Sequence, residues 1–158
     1  MFAPMLRRLF FLFLFLVLGV GRLGAAEAPV APVLTGWDHI TVAPMKTSIY
    51  VGSVALTPGI FVREGPTLTT TYEAKVFPWF FWGETGRITI HLTDANLASL
   101  AKGETTEFVG EAANHKNKPR TVTGRAQPSD AASGKIKVRI GADGYVLIFN
   151  STYRFGTR

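Results

Sequence analysis

The feature that most constrains how this chain folds is an alternation of apolar and polar residues with a period of two. It is cleanest over residues 135–140 (KIKVRI), where three basic residues alternate with three β-branched residues, and it recurs over residues 87–92 (RITIHL). Successive side chains of a strand point to opposite faces, so this pattern predicts strands with one buried face and one solvated face.

Turn residues divide the alternating region into about seven predicted strands. Short connections between successive strands imply antiparallel neighbours. We therefore expect a mainly β protein, a single antiparallel β-sandwich or small barrel with one short α-helix. The predicted strands are Thr47–Thr57, Thr67–Phe77, Arg87–Leu92, Thr105–Ala113, Arg120–Gln127, Lys135–Ile140 and Tyr145–Phe155.

One short helix is predicted between the third and fourth of these strands. Thr93-Asp94 provides a helix start, and Lys102-Gly103 provides a helix end. Leu97, Leu100 and Ala101 lie on one helical face between these signals. A helix of about nine residues is marginal in water by itself, so we expect this one to pack on the sheet.

The first 26 residues have the layout of a secretory signal peptide. Arg7 and Arg8 precede the apolar run 9–20, and the small residues 24–26 offer a cleavage site. An uncleaved membrane anchor is the alternative, but Arg22 interrupts the run before the about twenty apolar residues of a spanning helix. We expect export to a periplasm or to the extracellular space, with membrane anchoring or an outer-membrane location less favoured.

The residues that remain after removal of the leader are predicted to form a single domain without disulfides. We assign residues 1–26 to the signal peptide, 27–46 to a proline-rich lead-in with a short edge strand at 39–42, and 47–158 to the antiparallel β-domain. The leader contains three of the 17 basic residues and none of the 11 acidic ones, so the net charge falls from +6 to +3. The chain has no cysteine, so its stability must come from packing and sheet hydrogen bonds.

An aromatic stretch follows the second predicted strand. We expect residues 83–86 to form the turn into the next strand, so that the aromatic residues lie together on one arm of a hairpin. Two interpretations are open: the cluster plugs an open end of the barrel, or it projects and contacts another molecule. The candidate contact patch consists of Phe77, Trp79, Phe80, Phe81 and Trp82.

Signals for catalysis are few. Without cysteine there is no thiol nucleophile and no cysteine-ligated metal, and no serine lies in a nucleophile-elbow motif. We expect no catalytic activity, no cofactor and no metal. The histidines and glutamates are interpreted as ordinary solvated side chains. The alternative is a hydrolase that uses scattered residues, and the polar residues considered are Asp38, His39, His91, His115, Glu104, Glu107 and Glu111.

The basic residues form two groups that we interpret as solvated strand faces and turns. Lysines on an outward strand face protect a sheet against edge-to-edge aggregation. Neither group has the interleaved aromatic residues of a single-strand nucleic-acid surface, so we expect no nucleic-acid partner. The groups are Lys116, Lys118, Arg120 and Arg125 around one hairpin, and Lys135, Lys137 and Arg139 on one strand.

Together these features predict an exported, non-enzymatic β-domain of a bacterial-type cell envelope or of the extracellular space. It would act by binding or structural contact with an envelope protein, a glycan or a lipid surface, with membrane contact made through the aromatic hairpin tip. The alternatives are a small outer-membrane β-barrel and a carrier of an apolar ligand. For the outer-membrane alternative, the lipid-facing residues of the last strand would be Tyr145, Leu147, Phe149, Tyr153 and Phe155.

Overall fold

The alternating segments form antiparallel strands of one sheet that closes into an eight-stranded barrel. The structure is a computed structural model and describes residues 37–156; the predicted signal peptide and residues 27–36 lie outside the described residues. The elements are β1 His39–Val42, β2 Met45–Ile49, β3 Gly52–Pro58, β4 Phe61–Glu64, β5 Thr67–Phe77, the 3-10 helix Phe80–Trp82, β6 Glu84–His91, α1 Asp94–Ala101, β7 Thr106–Asn114, β8 Pro119–Pro128, β9 Ser133–Ala142 and β10 Tyr145–Gly156.

Closure of the barrel depends on pairings between strands that are distant in sequence. The order around the barrel is β5-β4-β1-β10-β9-β8-β7-β6, and β6 pairs back with β5. β4 and β3 share one edge of β5, with Val62 opposite Thr69 and Ser53 opposite Phe77. β2 pairs with β3 and continues the path of β1. β1–β2 and β3–β4 therefore each act as one bent strand, which gives eight barrel strands from ten segments.

Apolar side chains fill the inside of the barrel. The alternation of β9 is confirmed: its three apolar residues are buried and its basic residues are exposed. Phe149 and Val122 are the most completely buried side chains. A cavity of about 40 Å³ remains near α1, lined by apolar residues that include Leu100, Phe108 and Phe155. The structure thus decides between the two predicted architectures in favour of a packed barrel.

The predicted helix is confirmed as α1. The Thr93 hydroxyl accepts a hydrogen bond from the Asn96 N–H (3.2 Å), and the Asn96 side-chain oxygen accepts one from the Thr93 N–H (3.0 Å). This reciprocal capping box fixes the start of the helix. Leu97 and Leu100 are buried, so the apolar side of the helix covers one end of the barrel core. Among residues 37–156, no helix has the length and apolar character needed to cross a membrane.

Three features of the first half of the barrel differ from the predictions. The predicted strand 47–57 is a hairpin, with Tyr50 and Val51 in the turn between β2 and β3. Neither turn residue has the glycine, proline or asparagine signature on which turn prediction depends. β4 was not predicted. The strand predicted at 39–42, within the lead-in, exists as β1. It is not an edge strand, because it pairs with β4 on one side and with β10 on the other.

The strand directions separate the connections into two ends of the barrel. The helix end contains α1, the β4–β5 and β8–β9 connections and both ends of the described chain. The opposite end contains the β2–β3, β5–β6, β7–β8 and β9–β10 connections. We call this second end the aromatic end because the aromatic stretch forms its β5–β6 connection.

Candidate contact surface and the polar network beneath it

The aromatic stretch forms the connection between β5 and β6, which we call the aromatic loop (residues 77–83). β5 ends at Phe77, and β6 already begins at Glu84, so the predicted turn at 83–86 and the predicted aromatic arm are wrong. Proline has no N–H to give to a sheet ladder, and Pro78 follows the last residue of β5. The chain then makes the 3-10 turn Phe80–Trp82, and the β5–β6 pairing begins at Ala74 opposite Glu84.

Most of the aromatic rings of this loop point into solvent. Phe77, Phe80, Phe81 and Trp82 are 57–76% exposed, and Trp79 is half-buried. The interpretation of the cluster as a plug in the barrel is therefore wrong. The reason is that the inward positions of β5 and β6 already fill this end of the barrel with other side chains. The aromatic residues form a projection instead.

The loop holds its shape through contacts between its own rings and backbone. Trp79 stacks on Trp82 with a centroid distance of 5.1 Å, while Phe81 packs edge-on against Trp82 at 5.6 Å. The N–H of Trp82 donates to the carbonyl of Trp79 (3.0 Å), and the N–H of Gly83 donates to that of Phe80 (3.3 Å). Such ring pairs contribute about 0.5–1.5 kcal/mol each beyond area burial. The exposed cluster therefore has a defined shape.

Two further turns of the aromatic end also expose apolar side chains. Tyr50 and Val51 lie in the β2–β3 turn, and Tyr145 and Val146 begin β10; all four are at least 60% exposed. Among residues 37–156, every aromatic residue with a large exposed fraction lies at this end of the barrel. The sequence analysis did not group these four residues with the aromatic loop, because their turns are distant from it in sequence.

A buried polar network lies beneath the turns of the aromatic end, and Glu84 is its centre. Tyr72 donates its hydroxyl to Oε1 of Glu84 (2.8 Å). Asn114 Nδ2 and Arg120 Nη2 donate to Oε2, at 3.0 and 3.1 Å. These four residues occupy inward positions of β5, β6, β7 and β8, four consecutive strands of the barrel. Both carboxylate oxygens of Glu84 are thus occupied by hydrogen bonds.

The network continues into the β9–β10 turn through Asp143. Arg120 Nη1 lies 2.9 Å from Asp143 Oδ2, and Lys118 pairs with the other oxygen of the same carboxylate. Asn114 Oδ1 accepts hydrogen bonds from the backbone N–H groups of Lys116 (3.0 Å) and Lys118 (2.9 Å). Arg120 is only 7% exposed, and its Nε finds no partner among the described residues. Three turns of the aromatic end are therefore joined by charged hydrogen bonds.

The environment of Glu84 stabilises its charged form. Burial by itself would raise the pKa of Glu84, but hydrogen bonds from Arg120, Asn114 and Tyr72 and the charge of Arg120 outweigh burial and hold the pKa below its usual value. Burial and the hydrogen bond to Glu84 raise the pKa of the Tyr72 hydroxyl, which keeps it a neutral donor. The network therefore consists of a carboxylate surrounded by donors at neutral pH.

Acidification is expected to remove the contribution of Glu84 to stability. Because the pKa of Glu84 is lower in the folded protein than in the unfolded chain, its contribution is present above the ordinary pKa of 4.5 and is lost as the pH falls through the folded value. The stability difference between wild type and Glu84→Gln, measured by urea unfolding, should be constant above about pH 6 and should narrow as the pH falls below the ordinary pKa of Glu84. The exposed-site control Glu107→Gln should follow the wild-type profile. A difference that stays constant with pH would contradict this role of Glu84.

The histidines and glutamates considered for catalysis do not form one centre. His39 Nδ1 lies 2.6 Å from Asp38 Oδ1, so these two residues are paired at the helix end. His115 lies in the β7–β8 turn at the opposite end, and His91 is exposed at the end of β6. No group of three or more histidine, aspartate and glutamate side chains is placed to bind a metal ion within residues 37–156.

The two predicted basic groups have different environments. Arg120 was grouped with solvated residues, and this is wrong, because its side chain points inward and is buried in the network. Arg125 of β8 and Lys137 and Arg139 of β9 are exposed on the outer face and line an open groove of about 610 Å³. The residues of this groove that the sequence analysis considered are His91, Glu107, Arg125, Lys137 and Arg139.

Most of the apolar face of β10 that the outer-membrane alternative directs toward lipid points into the barrel. Phe149, Tyr153 and Phe155 are buried, and Leu147 packs partly buried against the same core. Tyr145 is the exception, because it is exposed at the aromatic end.

Comparison with known proteins gives no relative from which a function can be transferred. The chain matches no protein-family model, no curated protein and no solved structure.

Proposed function

We propose that this protein is an exported, non-enzymatic β-barrel that works by contact, and that the aromatic loop is its contact surface. The observation that carries the proposal is the 57–76% exposure of four neighbouring aromatic rings at the tip of a packed barrel. Contiguous exposed apolar patches are uncommon on soluble monomers and usually mark a contact with another molecule.

The network beneath the loop supports a binding role. Glu84 fixes the start of β6 through its three donors, so the base of the loop is held by charged hydrogen bonds. Charge-assisted hydrogen bonds are shorter and stronger than neutral ones. A rigid base lowers the conformational entropy that an aromatic surface loses when it binds.

The alternatives have less support from the structure. A carrier of an apolar ligand needs an interior space of a few hundred Å³, whereas the cavity in the barrel is about 40 Å³. An outer-membrane barrel needs an apolar outer band, whereas the outward faces of β7, β8 and β9 carry glutamate, threonine, lysine and arginine.

Replacing Phe81 and Trp82 with serine is expected to abolish binding without loss of folding. Both side chains are exposed, so their removal should cost mainly the two ring pairs within the loop, about 1–3 kcal/mol, and should leave the packed barrel folded. Co-sedimentation of the purified exported protein with the cell-envelope fraction should fall by about tenfold or more, since each ring buries apolar area on contact. Far-ultraviolet circular dichroism and urea unfolding measure the folding of the variant.

Val109→Ser is the matched control. Val109 is 60% exposed on the outward face of β7, away from the aromatic end, so its replacement should leave co-sedimentation unchanged. The proposal would be contradicted if both variants lost co-sedimentation equally. It would also be contradicted if the Phe81→Ser, Trp82→Ser variant co-sedimented as fully as the wild type. Loss of the barrel in the double variant would show instead that the loop is needed for folding.

A further inference from the structure

We infer that the molecule contacted by the aromatic end is the surface of an anionic lipid bilayer, an inference that rests on the proposed contact function. Its components are the aromatic loop, the exposed residues of two neighbouring turns and the lysines of the β7–β8 turn. The residues that would enter the interfacial layer are Phe77, Phe80, Phe81, Trp82, Tyr50, Val51, Tyr145 and Val146.

The shape of this end suits a bilayer better than a folded partner. The exposed side chains lie on three separate turns around the barrel rim. Tyr50, in the β2–β3 turn, has the largest exposed fraction among them. Hot spots between proteins are usually anchors that enter well-packed pockets. Side chains presented on separate turns can instead enter a fluid layer without a preformed pocket. Tryptophan and tyrosine favour the headgroup level of a membrane, because their rings are apolar with a polar edge.

Contacts between neighbouring turns bring these exposed residues together at one end of the barrel. Gly52, at the start of β3, lies so close to the carbonyl of Phe77 that an added Cβ would be 1.9 Å from that oxygen. The β2–β3 turn is thus held directly beside the aromatic loop. On the other side, Arg120 joins Glu84, at the base of the aromatic loop, to Asp143, which precedes Tyr145.

The charges at this end are complementary to an anionic surface. The carboxylates of Glu84 and Asp143 are both paired with Arg120, and Asp143 is also paired with Lys118. Within residues 37–156, Lys116 forms no ion pair, and it lies exposed in the β7–β8 turn. A basic residue near an anionic membrane surface contributes about 1 kcal/mol, which corresponds to about fivefold in affinity.

The three tryptophans of the chain allow a direct test. Trp79 and Trp82 belong to the aromatic loop, and Trp37 stacks on Phe155 at the helix end, with a centroid distance of 4.0 Å. Trp37→Phe keeps a ring in that stack and leaves only the loop tryptophans as fluorophores. Trp79→Phe with Trp82→Phe leaves only Trp37. The exported protein is titrated with vesicles of phosphatidylcholine and phosphatidylglycerol, with and without brominated acyl chains.

The expected result is a difference between the two reporters. In Trp37→Phe, unbrominated anionic vesicles should blue-shift the emission of the loop tryptophans, and brominated ones should quench it. The emission of Trp37 in the other variant should not change with either. Lys116→Gln should weaken binding to the anionic vesicles about fivefold, and vesicles of phosphatidylcholine alone should bind more weakly than the anionic ones. Quenching of Trp37 as strongly as the loop tryptophans would overturn the inference, because the protein would then be adsorbing without orientation.

The outcome also separates this inference from the proposed function. If the loop tryptophans are not quenched but envelope co-sedimentation still depends on Phe81 and Trp82, the bilayer inference is wrong and the contact function stands, with a protein or glycan as the bound molecule. If the loop tryptophans are not quenched and co-sedimentation does not depend on these residues, both are wrong. Concentration-dependent self-association through this end without vesicles, together with absent quenching, would identify a second copy of the chain as the bound molecule.

Discussion

Arg120→Met is expected to lower the free energy of unfolding by about 2–4 kcal/mol, because it removes the buried cation that the carboxylates of Glu84 and Asp143 share. Arg120 is 7% exposed and pairs with both Glu84 and Asp143, at 3.1 and 2.9 Å. Methionine keeps the unbranched apolar stem of the side chain. The loss therefore reports mainly on the charge and its hydrogen bonds. Urea unfolding at neutral pH measures it.

Two further variants make the Arg120 result specific. Arg125→Gln changes an exposed arginine on the same strand, and its effect should stay within about 0.5 kcal/mol. Adding Glu84→Gln to Arg120→Met should recover part of the lost stability, because a neutral amide is less costly to bury without a cation than a carboxylate. A loss below about 1 kcal/mol in Arg120→Met would mean that solvent reaches the network and satisfies it.

Phe149→Ala should destabilise the barrel by about 3–5 kcal/mol, the range found when a large aromatic side chain is removed from a packed core. Phe149 is 1% exposed in the middle of β10, opposite Val138 of β9, and the interior around it is filled by neighbouring strands. The walls of a hydrogen-bonded barrel have little freedom to move inward, so much of the vacated volume should remain as a cavity.

The residue next to Phe149 supplies the control. Ile148 is 41% exposed on the outward face of the same strand, so Ile148→Ala should cost no more than about 1 kcal/mol. The two variants compare the inward and outward faces of one strand by chemical denaturation. Comparable losses for both would mean that the assigned register of β10 is wrong by one residue, since such a shift exchanges the two faces.

The second half of the barrel follows from local sequence pattern. β9 alternates strictly in sequence, and β10 alternates in burial from Leu147 to Phe155. Both residues of the Asp143-Gly144 turn adopt the positive φ values that such a tight hairpin uses. α1 follows from its cap and its apolar face. In these segments local propensity and final burial agree, so prediction from sequence was accurate.

Closure of the barrel was not determined by any local pattern. It depends on β1 lying between β4 and β10, and the paired residues Ile40 and Phe155 are more than a hundred positions apart in sequence. The β2–β3 turn at residues 50–51 contains no turn-forming residue type. These features come from the pairing of distant strands, which alternation alone does not specify.

The candidate contact residues were identified from sequence, but their exposure was not. An aromatic side chain is buried in most proteins, and only the occupied interior of this barrel places the aromatic loop outside. The network was missed for another reason. Asn114 and Arg120 lie two residues from the buried Ala112 and Val122, so they are polar residues in phase with an apolar strand face. That phase is the signal in the sequence that predicts a buried polar pair.

The pairing of β1 with β10 also brings the two ends of the described chain together. The N–H of Asp38 donates to the carbonyl of Gly156 (3.3 Å) at the helix end, far from the aromatic loop. The two-residue turn at Gly65-Pro66 lies at the same end. A circular permutant that joins residues 38 and 156 and opens the chain at this turn would therefore leave every connection of the aromatic end intact. The order of the strands along the chain can thus be changed without altering the proposed contact surface.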